Sequence, residues 1–423
     1  MRPLPPLRST ATLLLPLALW ACTAGEQSQQ SRAGAEICPA DMPPAELQHL
    51  IGSMHEHSGY SDGEIGTTPA DFFAAGAALG LDFMLSSDHS DNLRLPLTAS
   101  GDCLSEQLPD CLQLLPDDTT PLLGLTKWEM TADLAAAAST EDFTALRGFE
   151  WTSDRFGHIN VFLSQNEINA KTTDGYALSM EGFWLWFGLD PALAGGGDGL
   201  AVFNHPGRED AIHAFIPDPA YAFNDFALNE AAAERVVGVE VFGKGGDAYD
   251  TDNGAPAGGW YAHALDQGWR LGPVGAEDEH GTSWATPERA KTVLLASDRS
   301  PEALREALLA RRFYALAQHH NDLRLSFSAD GLPMGSRIHG TGPILLQGAV
   351  TAGELPGGFL EIVGSGGDTL ATAALPQVQL ELLPEADPSW YFLRLSNADN
   401  QPVAYSAPIW VSAEAGACGE AAN

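Results

Sequence analysis

Residues 47–63 read LQHLIGSMHEHSGYSDG, an apolar-polar lead-in that ends in two histidines, with an aspartate five residues after the second. The lead-in reads as a short strand. Side chains alternate along an extended chain, so His55 and His57 point the same way and can hold one ion together, while Glu56 faces the other side. An isolated H-x-H carries little weight. Its meaning rests on what the other strands of the chain deliver.

From about residue 48 to 320, short apolar strands alternate with helical stretches. The strands are LQHLIGSM, LDFMLSSD, TALRGFEW, HINVFLS, LAVFNHP, VVGVEVFG, RLGPVGAE and AKTVLLA. TPADFFAAGAALG and SPEALREALLARRF open with Thr or Ser before Pro, a good helix start. This alternation predicts an α/β domain over 45–320 with a mostly parallel sheet, interrupted by insertions near 91–142 and 165–198. In the second insertion, Phe183, Trp184, Trp186 and Phe187 fit either local core or an apolar wall over a pocket. From about 321 to 415 the pattern changes to short strands between Gly, Pro, Asn and Asp, which predicts a β-sandwich.

Catalytic groups of α/β domains gather at the carboxyl ends of parallel strands. Here the first strand is followed by His55, His57 and Asp62, and the second by Asp88 and His89. The third ends in Glu150, with His158 leading into the next. The fifth ends in Asn204-His205-Pro206, and the seventh is followed by Asp278 and His280. Six of the twelve histidines fall at such positions. Imidazole nitrogens and carboxylate oxygens are the ligand set of Zn²⁺, Mn²⁺ or Fe²⁺.

The set H-x-H…SDG, S-S-D-H, G-F-E with a following G-H, N-H-P and D-x-H resembles the polymerase-and-histidinol-phosphatase (PHP) superfamily over roughly residues 48–320. The resemblance implies a distorted (β/α)₇ barrel with two or three divalent ions at its carboxyl face. His55, His57, Glu150 and Asp278 would hold the first ion. Glu150 would bridge to a second, held also by His158 and His205, and Asp62, His89 and His280 would hold a third. The stretches GFEWTSDRFGHINVF, SPEALREALLARRFYAL, PMGS and SAPIWVS are similar to the carbaryl-hydrolase-like (CehA/McbA) branch. The activity implied is hydrolysis of phosphate mono- or diesters by a metal-activated hydroxide. Hydrolysis of a carboxylic ester, amide or carbamate at the same centre is the alternative, and a non-catalytic binding lipoprotein is a second one. Arg155, Arg208 and Lys244 stand beside these positions, where a cation can clamp a phosphate or assist the leaving group. Asp88 is placed to orient an imidazole. His49, His213, His263, His319, His320 and His339 lie off the pattern and read as structural.

The 423-residue chain carries 21 basic and 56 acidic residues, a net charge of −35. That argues against nucleic acid and anionic membranes as partners, and the hydrolase resemblance implies a small-molecule substrate. Residues 1–21 read as an export signal: Arg2 and Arg8, the apolar run ATLLLPLALW, then Ala21 before Cys22. Leu19–Cys22 resembles a bacterial lipobox, which implies lipidation of Cys22, a tether over 22–44, and a membrane-anchored protein facing periplasm or cell surface. Loss of the signal with its two arginines takes the net charge to −37. Four cysteines remain, an even number that suits disulfides in an exported chain. Cys103 with Cys111 is a natural local bridge, and Cys38 with Cys418 would then clasp the ends. Oligomeric state is open.

Overall fold

The computed structural model describes residues 36–37, 43–44, 46–94, 126–171, 178–208, 221–251, 254–384 and 389–412. The export signal, residues 95–125 of the first insertion and all five cysteines lie outside the described residues. No helix among the described residues is long and apolar enough to cross a membrane.

The chain is mixed α/β with many strands and few helices. After β1 (Glu36–Ile37), which belongs with the C-terminal strands, β2 (Gln48–Ser53), β3 (Phe83–Leu85) and β4 (Thr144–Leu146) run parallel to one another. A second sheet holds β5 (Gly148–Ser153), β6 (Gly157–Phe162), β7 (Leu200–Phe203), β8 (Val236–Phe242) and β9 (Gly272–Gly275) in that order. The chain then returns to the first sheet: β10 (Lys291–Ala296) lies antiparallel to β2, and β11 (Phe313–Leu316) antiparallel to β10.

The expectation of a mostly parallel sheet is corrected in the second sheet, where β5, β6 and β7 are antiparallel and only β7, β8 and β9 are parallel. The reason is local. Only Asp154–Phe156 separates β5 from β6, far too little chain for the crossover a parallel pair needs. Gly157, at φ 94°, completes this tight hairpin in a conformation open to glycine.

The two sheets are not closed into one hydrogen-bonded barrel. At one seam the Gly148 N–H donates to Ser86 Oγ, and that hydroxyl donates to the Gly148 carbonyl. At the other, Thr292 Oγ1 accepts from Gly275 N and donates to Gly275 O. Hydroxyls thus stand where strand ladders would meet. A Cβ on Gly275 would lie 2.3 Å from Lys291 O, so this approach needs glycine.

Helix Pro69–Leu79 starts on the Thr68–Asp71 capping box, ends at left-handed Gly80, and buries Phe72 and Phe73. Helix Pro301–Leu309 is capped by Ser300 and buries Ala303, Leu304, Ala307 and Leu308. The aromatic insertion forms helix Met180–Gly188. Its Phe183, Trp186 and Phe187 are buried against Phe149 and Trp151, and Trp184 packs on Phe203 and Trp269. These rings are core, each worth about 1.5–3 kcal/mol of burial.

Beyond residue 320 two sheets face each other. One contains β12 (Arg324–Ala329), β13 (Leu332–Pro333), β15 (Ile344–Ala352) and β18 (Gln377–Leu382). The other is formed by β14 (Arg337–His339), β16 (Phe359–Val363), β17 (Thr369–Ala374), β19 (Ser389–Ser396), β20 (Pro402–Ser406) and β21 (Ile409–Ser412). This second sheet is continuous with the first sheet of the N-terminal part, because β20 pairs with β11. The apolar core follows suit, joining Ile51, Phe72 and Tyr314 to Leu325, Leu393 and Leu395.

Candidate metal centre

β2 carries the chain inward, its last four residues buried, and delivers His55 and His57 at its carboxyl end. There the two Nε2 atoms lie 3.1 Å apart. His55 Nε2 is 3.3 Å from Glu150 Oε1 and 3.7 Å from Asp278 Oδ1, and His57 Nε2 is 3.4 Å from the same Asp278 oxygen. His205 Nε2 and His158 Nδ1 come within 3.3 and 3.1 Å of Glu150 Oε1. On the outer side, Asp62 Oδ1 is 3.2 Å from His89 Nε2, and its Oδ2 is 3.2 Å from His280 Nε2. All nine residues singled out in the sequence as donors therefore converge.

Eight of them fall into three overlapping groups whose donor atoms lie within 4.8 Å of one another: His55, His57 and Asp278; His55, Glu150 and His205; His57, Asp62, His89 and His280. His158 joins through Glu150. The donor set fits metal ions. Ligands about 2.0–2.2 Å from one ion sit roughly 3.0–3.6 Å from each other, which is the spacing found here. Two details differ from the sequence expectation. His57 reaches the outer group as well, its Nδ1 3.7 Å from Asp62 Oδ1. Glu150 lies inside β5, not at its end, and His158 opens β6 as expected, paired with Thr152 across the antiparallel hairpin.

Depth distinguishes the groups. The side chains of His55, His57 and Glu150 are 0% exposed, whereas Asp62 is 33% and His280 24% exposed, so the outer group faces the entrance. Burial opposes a charge on His55, yet the Glu240, Glu150 and Asp278 carboxylates outweigh it and raise its pKa well above the ordinary value. His57 behaves oppositely: burial, together with His280 and His89, pushes it down to about 3, leaving a neutral imidazole at the junction. Burial also opposes ionisation of Glu150 and Asp278, and the surrounding imidazoles hold both carboxyls well below the usual range.

Two donors sit on unusual backbone: His205 at φ 25° and Asp278 at φ 46°. Non-glycine residues there cost of order 1–3 kcal/mol and persist only when their surroundings fix them. Asp278 N donates to His55 O, and His205 N donates to Glu240 Oε2, which supplies that fixing.

Glu240 is the residue that sequence reasoning missed. It is fully buried on β8, and its Oε1 lies 2.7 Å from His55 Nδ1. A carboxylate at Nδ1 orients the ring and leaves Nε2 to face the centre. Its signal was present as a lone acid in the apolar strand VVGVEVF. Asn204, flagged only as part of N-H-P, donates to Glu150 Oε1 at 2.8 Å. Asp88 reaches an imidazole through Ser61, whose Oγ lies 3.3 Å from His57 Nδ1. It accepts from Ser58 N, Ser58 Oγ and Ser61 Oγ and so braces the 58–61 loop. Glu56 turns away, as expected, and takes a hydrogen bond from Ser53 Oγ.

Of the three candidate cations, Arg208 donates to Asp278 Oδ2 at 2.5 Å, and Lys244 Nζ is 3.0 Å from His280 Nδ1. Arg155 is exposed, with its guanidinium over the Phe156 ring.

No family model and no curated protein matches the chain. Among solved structures it matches a two-domain protein containing a predicted PHP-like metal-dependent phosphoesterase from Bacteroides vulgatus. The match is at 16% identity and covers 90% of this chain and 99% of that one, with a TM-score of 0.42. So distant a likeness leaves the reading of the site to its own geometry.

If Asp62 belongs to a distinct outer ion, Asp62→Ala is expected to lower the bound metal by one equivalent while the deeper groups stay loaded. Elemental analysis of the purified variant beside the parent measures this. An unchanged ratio would leave a two-ion centre.

Proposed function

We propose that this protein is a metal-dependent hydrolase of the PHP type, acting on phosphate mono- or diesters. The observation that carries the reading is the sharing of His55 and His57 among overlapping donor groups, an arrangement suited to ions a few ångströms apart. His55, His57 and Asp278 would hold the first ion, Glu150, His158 and His205 the second, and Asp62, His89 and His280 a third. Zinc, manganese and iron all suit this donor set. Bound ions would supply an acidified water and Lewis-acid polarisation of the substrate oxygen.

The chain's own residues do the rest. Glu240 keeps the His55 ring aimed, and Asn204 fixes the Glu150 carboxylate. Arg208, 43% exposed at its side chain and already at the edge of the centre, is placed to grip a phosphoryl oxygen in the bidentate manner of guanidinium. Lys244 adds a second positive charge on the outer side.

The membership of the carbaryl-hydrolase-like branch and the export as a lipid-anchored protein extend the proposal on sequence grounds alone. So do the Cys103–Cys111 and Cys38–Cys418 pairings. The second pairing has some support in topology: β1, ending one residue before Cys38, and β21, six residues before Cys418, flank the same strand β14.

The test is hydrolysis of bis-aryl phosphate, aryl phosphate and aryl ester by metal-loaded protein. Phosphoester turnover that vanishes on chelation and returns with metal supports the proposal, whereas ester turnover alone would replace it. Within the same panel, Arg208→Ala is expected to lower kcat/KM for the phosphoesters by about 10–100-fold, the worth of a charge-assisted contact of about 1.5–3 kcal/mol. The neutral ester should change far less.

A further inference from the structure

A cavity of ≈ 320 Å³, with no metal donor in its lining, is walled by Gly246, Asp247, Gln318, His319, His320 and Gln401 among others. Strand register places it on the same rim as His55. The carboxyl end of β2 meets the start of β10 (Gly52 opposite Thr292), Lys291 lies opposite Leu316 at the end of β11, and Leu316 lies opposite Ala404 near the start of β20. Phe242, the last residue of β8, also lines the cavity, and its carbonyl accepts from Ala276 N, two residues before Asp278. A single turn, Lys244–Gly246, touches both cavity and centre: Lys244 reaches His280 at one end, and Gly246 faces Gln318 at the other. A Cβ at Gly246 would come within 2.4 Å of Gln318 Nε2, so glycine lets the amide sit close.

The wall's chemistry is specific. The described residues lining the cavity include two imidazoles, two side-chain amides and the Asp247 carboxylate, and none is Lys or Arg. An anionic group would meet a carboxylate without a cation there. A hydroxyl, which both donates and accepts, suits amides, imidazoles and carboxylates alike. Gln401 comes from the turn between β19 and β20, so the C-terminal sheet contributes directly to this wall.

Building on the phosphoesterase reading, we infer that this cavity is a substrate subsite that receives a polyhydroxyl group, such as a sugar or glycerol, attached to the phosphoryl group. Gln318 and Gln401 are its specificity determinants. The C-terminal domain thereby helps choose the substrate, beyond packing against its neighbour. His319 and His320, which read as structural in the sequence, belong to the same wall.

The experiment is calorimetric binding of the non-hydrolysable phosphonate analogues of glucose 1-phosphate and methyl phosphate to the metal-loaded full chain, beside a Gln318→Ala/Gln401→Ala variant. The parent is expected to bind the sugar analogue about tenfold or more tightly than the methyl phosphate analogue. The variant should lose that preference, since two neutral hydrogen bonds carry roughly this much, with affinity for the methyl phosphate analogue within about twofold of the parent. Equal affinities in the parent, or equal weakening of both ligands in the variant, would overturn the subsite while leaving the phosphoesterase reading intact. Binding of neither ligand would remove the phosphoester reading and the subsite with it.

Discussion

His55→Ala/His57→Ala is expected to lose metal-dependent turnover by about 10³-fold or more and to bind little metal. The pair contributes Nε2 donors 3.1 Å apart and enters all three donor groups. No single ion can then be held as in the parent. Metal polarisation of a substrate oxygen is worth several kcal/mol, and each ~1.4 kcal/mol is tenfold in rate. The measurement is kcat/KM beside elemental analysis, with a circular dichroism melt to show that the variant folds. Asp278→Asn is the conservative companion: it keeps the shape and removes one charge of the same group. Metal-dependent turnover in the double variant within about tenfold of the parent would place the chemistry elsewhere.

The second large effect concerns stability. Behind the centre, Lys291 Nζ lies 2.9 Å from Glu277 Oε1, and both side chains are 0% exposed. The ammonium also donates to the carbonyls of Thr286 and Arg289. Burial raises the Glu277 pKa and Lys291 works against it, while Glu56 close by is raised by burial and by Glu277. Lys291→Met leaves that carboxylate buried without its cation, a change that costs about 3–5 kcal/mol. Denaturant unfolding at neutral pH is expected to show this loss, and Lys291→Met/Glu277→Gln to regain much of it. A single variant within about 1 kcal/mol of the parent would mean that the pair is not desolvated in solution.

Most of the metal donors were legible because their signal is local: a histidine or acid just past the end of an apolar strand needs no knowledge of distant contacts, whereas Glu150 lies inside β5 and His158 opens β6. Glu240 was not, because an acid inside an apolar strand has meaning only once His55 and His205 are known to flank it. The antiparallel β5–β6 hairpin was written in the short spacing before Gly157 and was masked by the assumption of βα alternation. TALRGFEW was read as one strand, whereas the chain changes sheet at Arg147, so that β4 and β5 belong to different layers. The aromatic helix held two readings open, and only packing against Trp151, Phe203 and Trp269 settled them. Nothing local marks Gln318 and Gln401 as neighbours, since 82 residues and most of the C-terminal strands lie between them.

The pairing of β20 with β11 has a consequence for how the chain comes to be folded. β11 acquires its outer neighbour only when residues 402–406 exist, and β14 is completed by β1 from one end of the described chain and β21 from the other. Ladders that join such distant residues are slow to form, because loop closure precedes the contacts that reward it. An N-terminal fragment ending near residue 320 therefore presents an open strand edge, a surface prone to associate with other chains. A chain that matures in this order favours completion over piecewise folding.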